Sequence, residues 1–142
     1  MFFKVSSVIA VALATSGAAY AETFEVQMLN KGEAGVMVFE PGFVQIAPGD
    51  TVKFVATDKS HNAETIDGMM PEGAEAFKGK INEEFEVTLD APGYYGVKCT
   101  PHFAMGMVMT IAVGDQDVPD DFLAGRLPKN AKKRFEDQLA SE

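Results

Sequence analysis

Apolar and polar residues alternate in several short runs along this chain, and a turn signal closes each run. Residues 23–29 place Phe24, Val26 and Met28 on one face, the period-two pattern of a half-buried strand. Asn30-Lys31-Gly32-Glu33-Ala34-Gly35 predicts a turn, and residues 36–40 a second strand that Pro41 and Gly42 interrupt. Residues 43–47 then meet Pro48-Gly49-Asp50, and residues 51–56 resume the alternation. Val44, Ile46, Val52 and Phe54 are expected to share a face, on two strands flanking one turn. Further strands are predicted over 85–89, 94–98 and 108–113, with Asp90-Ala91-Pro92-Gly93 as a turn, whereas residues 67–80 read as loop with a short helical turn through 72–77. Short strands punctuated by turns, with no βαβ alternation, argue for an all-β sandwich rather than a parallel sheet.

The pattern changes at both ends. Residues 117–124 and 129–139 have helical spacing, with Phe122 and Leu123 in the first, Ala131, Phe135 and Leu139 in the second, and Pro119 and Pro128 near the starts. At the other end, Met1-Phe2-Phe3-Lys4, an apolar segment over 8–13 and the small-residue signature Ala19-Tyr20-Ala21 predict a secretory leader. The expected organisation is a leader over 1–21, removed after Ala21, and a single domain over 22–142. The competing reading, a membrane anchor, is disfavoured because the apolar stretch is short and broken by Thr15, Ser16 and Gly17.

Charge and cysteine usage narrow the function. The formal net charge is −9, and loss of Lys4 with the leader makes it −10, which argues against nucleic acid or an anionic membrane as partner. Cys99 is the sole cysteine, so after export it has no intramolecular disulfide partner, and metal coordination is the simplest mask for it. The loop Cys99-Thr100-Pro101-His102-Phe103-Ala104-Met105-Gly106-Met107 holds that thiol, an imidazole and two thioethers between two predicted strands. His61, the other of the two histidines, lies upstream at the end of a predicted core strand. A thiolate, two imidazoles and a weak thioether form a set that copper accepts in both oxidation states. Zinc takes cysteine and histidine but gains little from methionine. A Cys–His pair is also a nucleophile, and any one of these residues alone is more often core than ligand. No feature of an oxyanion or specificity pocket accompanies the pair.

The loop, with Lys98 before it and His61-Asn62 upstream, resembles the copper loop of the pseudoazurins, a family of small cupredoxins. The resemblance runs from about Glu22 to the C-terminus and includes Met28-Leu29-Asn30-Lys31-Gly32, Met37-Val38-Phe39-Glu40-Pro41, residues 47–52 and Pro71-Glu72-Gly73-Ala74-Glu75. It implies a cupredoxin Greek-key β-sandwich with a two-helix C-terminal extension and one type 1 copper ion, held by His61, Cys99 and His102 with Met107 as axial ligand. Of the two loop thioethers the family pattern selects Met107 and leaves Met105 near the surface. Asn62 is expected to tie the His61 segment to the loop.

The function implied is periplasmic transfer of single electrons. The expected partners are a copper nitrite reductase and a c-type cytochrome, and the protein is expected to be a monomer. Docking is expected through an apolar patch near His102, drawn from Met37, Pro41, Pro101, Phe103 and Met105 and rimmed by Lys31, Lys59, Lys78 and Lys98. With both histidines committed to one copper, none remains for a catalytic centre, so the chain is not expected to be an enzyme. Copper trafficking or storage is the alternative, to which the eight methionines lend weight.

Overall fold

The computed structural model describes residues 20–141. The predicted leader lies almost wholly outside the described residues. Two four-stranded sheets face one another. The first holds β2 (Gly35–Glu40), β1 (Thr23–Gly32), β4 (Asp50–Val55) and β6 (Phe85–Leu89) in that order; the second holds β3 (Phe43–Ile46), β8 (Val108–Val113), β7 (Gly93–Lys98) and β5 (Glu64–Thr65). β1 runs parallel to β4 and β3 parallel to β8, and the other pairs are antiparallel. The all-β sandwich expected from the alternation is present.

The inner faces hold what the alternation placed there. Val26 and Met28 from β1, and Val52 and Phe54 from β4, meet Val44, Ile46, Val97, Cys99, Met109, Ile111 and Val113 in one buried cluster. Phe54 anchors it, stacked on Phe85 at 5.1 Å between centroids and edge-on to Phe39 at 6.2 Å. Val44, Ile46, Val52 and Phe54 are all buried, but their strands do not pair. The turn at Pro48 and Gly49 carries the chain across to the opposite sheet, and Asp50 Oδ2 accepts the Ala47 N–H at 2.8 Å within it.

A second cluster covers the outer face of β8, where Ala131 and Phe135 of α1 (Lys129–Ala140) pack with Tyr94, Val108, Ala112 and Phe122. All six residues of β8 are therefore buried, on one side by the sandwich core and on the other by the helix.

Two expected helical features take another form. Residues 117–124 make successive turns, with Phe122 N–H donating to Pro119 O and Ala124 N–H to Asp121 O. A segment this short, rich in aspartate and followed by Gly125, gains little from helix nucleation once Phe122 is seated on Tyr94 and Phe135. The extension thus contains one α-helix and a turn segment. Around 72–77 there is a single turn closed by Ala74 N–H to Pro71 O. Phe77 instead pairs its N–H with Thr65 Oγ1 and its carbonyl with the Thr65 N–H, an extended arrangement that replaces a helical turn.

Candidate metal centre

The three donors converge at one end of the sandwich. Cys99 Sγ lies 3.4 Å from His102 Nδ1 and 3.7 Å from His61 Nδ1, and the two Nδ1 atoms are 3.2 Å apart. A triangle with these sides has its centre about 2 Å from every corner, the bond length that first-row metals make to imidazole and close to that to thiolate. Among the described residues this is the one such grouping of histidine, cysteine or carboxylate donors.

Hydrogen bonds fix all three donor segments, but only Cys99 adjoins a strand: His102 sits in a turn, and His61, expected at the end of a core strand, lies in the irregular segment between β4 and β5. Cys99 follows β7 directly, and its N–H donates to Met107 O at 3.0 Å, closing the loop at its neck. Inside the loop a 3₁₀ turn (Thr100–Met105) carries Pro101 in its first turn and brings His102 back toward the sulfur. Gly106 ends the turn at φ 91, and a Cβ there would stand 2.9 Å from the Asn130 carbonyl oxygen, so the position requires glycine twice over. Met107 is fully buried, and its N–H donates to His102 O at 3.1 Å.

His61 is also fully buried. Its Nε2 lies 2.8 Å from Asn30 Oδ1, an atom that only accepts, so Nε2 carries the proton and Nδ1 presents its lone pair to the site. Burial, with the nearby His102, holds the His61 pKa below the usual imidazole value. Burial pushes the Cys99 thiol up, opposed by hydrogen bonds from the backbone amides of Asn62 and His102. The first shift suits a metal, because the imidazole arrives neutral; the second works against it, so the ion itself must drive loss of the thiol proton.

Asn62 ties the His61 segment to the loop as expected. Its Oδ1 accepts the Thr100 N–H at 2.7 Å and its Nδ2 donates to Thr100 Oγ1 at 3.3 Å and to Gly79 O at 3.2 Å. Thr100 Oγ1 in turn donates to Glu64. Two further asparagines escape a sequence reading. Asn30 sets the tautomer of His61, and Asn82 holds both flanks of its peptide, accepting the Ser60 N–H at 2.7 Å and donating its own N–H to His61 O. Asn82 adopts φ 66, a conformation asparagine tolerates better than most residues, and its place between Ile81 and Glu83 offered the only hint.

The apolar residues expected around His102 reach the surface to different degrees. Pro41, Pro101 and Met105 are exposed, Met105 by 45%, while Met37 and Phe103 are half-buried against the two cores. Lys31, Lys59 and Lys78 are exposed, and Lys98 is half-buried with its ammonium 5.0 Å from the centroid of Phe103.

A two-sheet sandwich with a Cys–His–His triangle between the ends of its strands defines a cupredoxin, and its donors define a copper site. The family model for copper-binding proteins of the plastocyanin/azurin family matches residues 26–114. A pseudoazurin from Paracoccus pantotrophus is 53% identical over 131 residues, covering 90% of this chain and 89% of its own. A putative pseudoazurin from Rhizobium leguminosarum bv. viciae is 50% identical, over 90% and 85% of the two chains. The solved pseudoazurin of Methylobacterium extorquens AM1 superposes with a TM-score of 0.78 at 43% identity, covering 84% of this chain and 98% of its own. The chain belongs to the plastocyanin/azurin family of copper-binding proteins, and within it to the pseudoazurins. One type 1 copper ion is its cofactor.

Proposed function

We propose that the protein is an exported carrier of single electrons, acting in the periplasm between redox proteins and donating to a copper nitrite reductase or exchanging with a c-type cytochrome. The observation that carries the reading is the donor triangle, in which three ligand atoms meet within 4.8 Å, with the loop backbone pinned through Cys99 and Asn62 and the His61 ring by Asn30. His61, Cys99 and His102, with the thioether of the fully buried Met107, would hold the copper ion. Copper, when bound, supplies a one-electron couple between Cu(I) and Cu(II). The chain's own residues hold the donors in a single arrangement for both charge states, so little has to move when an electron passes.

His102 is the one donor that is not fully buried, and Pro101 and Met105 flank it at the surface. That end of the sandwich is the door for electrons, an apolar patch on an otherwise acidic protein. Lys31, Lys59, Lys78 and Lys98 steer an acidic partner toward it, giving fast encounter and easy release. No helix among the described residues is long and apolar enough to cross a membrane. The leader expected over 1–21 would export the chain to the periplasm, where it acts as a monomeric carrier and turns over no small-molecule substrate.

The methionines weigh against trafficking. Met28, Met69 and Met109 are buried in the hydrophobic clusters, and among the described methionines only Met105 is exposed, so they form no exposed exchange surface. Absorption and EPR spectra of the copper-loaded chain beginning at Glu22 test the proposal. An intense visible band present with Cu(II) and lost on reduction is expected; a colourless protein that gives up Cu(I) readily would mark a trafficking protein.

A further inference from the structure

The C-terminal helix grips the copper loop with three side chains spaced four residues apart. Asn130 Nδ2 donates to Ala104 O at 3.3 Å, Arg134 Nη1 to Gly106 O at 2.8 Å, and Gln138 Nε2 to Val108 O at 2.9 Å. Four residues of α-helix rise about 6 Å, and two residues of extended chain advance about 6.7 Å. The helix therefore keeps step with the backbone as it straightens from Gly106 into β8. Gln138 is further fixed by accepting the buried Thr110 hydroxyl at 3.0 Å.

Arg134 is the centre of this ladder. Besides Gly106 O, its guanidinium donates to Met37 O at 2.5 Å and Val36 O at 3.2 Å, so one side chain joins α1, the copper loop and β2. Met37 stands at φ 51, unusual for a residue with a side chain, and the conformation is held in place while its carbonyl accepts from this guanidinium. The peptide group that ends in Gly106 O begins Met107, so it is clamped from both sides: its carbonyl by Arg134 and its N–H by His102 O.

We propose that Arg134 is a positioning residue for the axial thioether, setting where Met107 stands relative to the plane of His61, Cys99 and His102. This rests on the reading of Met107 as axial ligand. A cation is suited to the task because its fork can satisfy several carbonyls at once, which neither lysine nor glutamine can match. All three of its hydrogen bonds go to main-chain oxygens of residues around the site.

The test compares Arg134→Met and Arg134→Lys with Met107→Leu and with Lys133→Met, an exposed position on the same helix. Two readouts are followed: amide hydrogen exchange at Met107 in the metal-free protein, and EPR rhombicity with the visible absorption spectrum in the copper-loaded protein. Exchange at Met107 is expected to quicken roughly 10-fold or more in Arg134→Met. The spectra should shift in the same variant, with a smaller shift in Arg134→Lys and none in Lys133→Met. Should Arg134→Met not fold, Arg134→Lys carries the test, since its ammonium keeps the charge without the fork. Loss of thermal stability with unchanged spectra and unchanged exchange at Met107 would overturn the proposal and leave Arg134 as a stabilising clamp alone. Unchanged spectra in Met107→Leu would overturn the axial reading instead, and the exchange measurement separates the two failures.

Discussion

Asn62 and Thr100 stand thirty-eight positions apart and are joined twice, the Thr100 N–H donating to Asn62 Oδ1 at 2.7 Å and Asn62 Nδ2 donating to Thr100 Oγ1 at 3.3 Å. Asn62 Nδ2 also reaches Gly79 O, and the whole side chain is buried. Asn62→Ala would leave the Thr100 N–H and the buried Gly79 carbonyl without the Asn62 side chain and loosen His61 relative to Cys99. We expect the metal-free protein to lose about 2 kcal/mol or more, measured by chemical denaturation, with broadened copper spectra. An unaltered denaturation midpoint would show that the loop holds its place without this tie.

Cys99→Ser tests the sulfur without opening a cavity. Cys99 is fully buried among core residues, and the backbone amides of Asn62 and His102 that meet the sulfur can meet a hydroxyl oxygen instead. The charge-transfer colour should vanish while the metal-free fold loses only about 1 kcal/mol. Global unfolding of the variant by circular dichroism would show that the sandwich depends on this residue more than its packing suggests.

The strands could be read from the sequence because each repeats on a period of two and is bounded by Gly, Pro or Asp. The loop could be read because its ligand types are used so sparingly: one cysteine and two histidines leave few ways to assemble a site. The first extension helix failed because Phe122 and Leu123 suit a turn seated on Phe135 as well as a helix, and only the tertiary contact decides. That β3 and β4 join opposite sheets was equally hidden, since alternation shows which face is buried but not which strand lies alongside. Asn30, Asn82 and Arg134 were illegible for a related reason: each acts through a backbone group at least 21 residues away or a side chain 31 away, which no local spacing encodes.

The pH dependence of the metal-free protein follows from two buried groups. The folded pKa of His61 lies below the ordinary 6.5, through burial and then His102, so below pH 6.5 the unfolded chain takes up a proton that the folded chain refuses. Stability is full above that pH and declines as pH falls toward the lowered value. Cys99 lies above its ordinary 9.0, chiefly through burial, so above about pH 9 the unfolded thiol ionises first and stability declines again. Thermal melts across pH should show a plateau between these limits. Copper affinity should rise with pH across the same range, because the bound thiolate has lost its proton. A melting temperature that climbs on acidification below pH 6.5 would contradict the assignment.

Asp50 links the beginning of the domain to its core. Its Oδ1 accepts the Glu22 N–H at 2.9 Å, its Oδ2 accepts the Ala47 N–H at 2.8 Å, and the residue is only 6% exposed. Asp50→Asn turns an amide donor toward one of these N–H groups and should cost about 1–3 kcal/mol. If the leader is removed after Ala21, the Glu22 nitrogen becomes an ammonium, and the same substitution should cost more in the chain beginning at Glu22 than in one carrying additional residues before it. Equal losses in the two forms, measured by urea denaturation, would show that an ammonium at Glu22 gains nothing from the Asp50 carboxylate.

Neutralising Lys59 and Lys98 together tests the docking face. Lys59 is exposed just before the His61 segment, and Lys98 lies over Phe103 beside the loop, so the pair brackets the site from two sides. On a chain with a formal net charge of −9, cations at the proposed docking face would orient an acidic partner before contact, an effect screened beyond about 8 Å at physiological ionic strength. Lys59→Gln with Lys98→Gln should slow the second-order rate with a copper nitrite reductase or c-type cytochrome severalfold at low salt and flatten its dependence on ionic strength. The absorption spectrum should stay as it was, since neither lysine is a ligand. Stopped-flow rates across a series of salt concentrations decide the matter, and a salt slope identical to that of the parent protein would move the docking face away from His102.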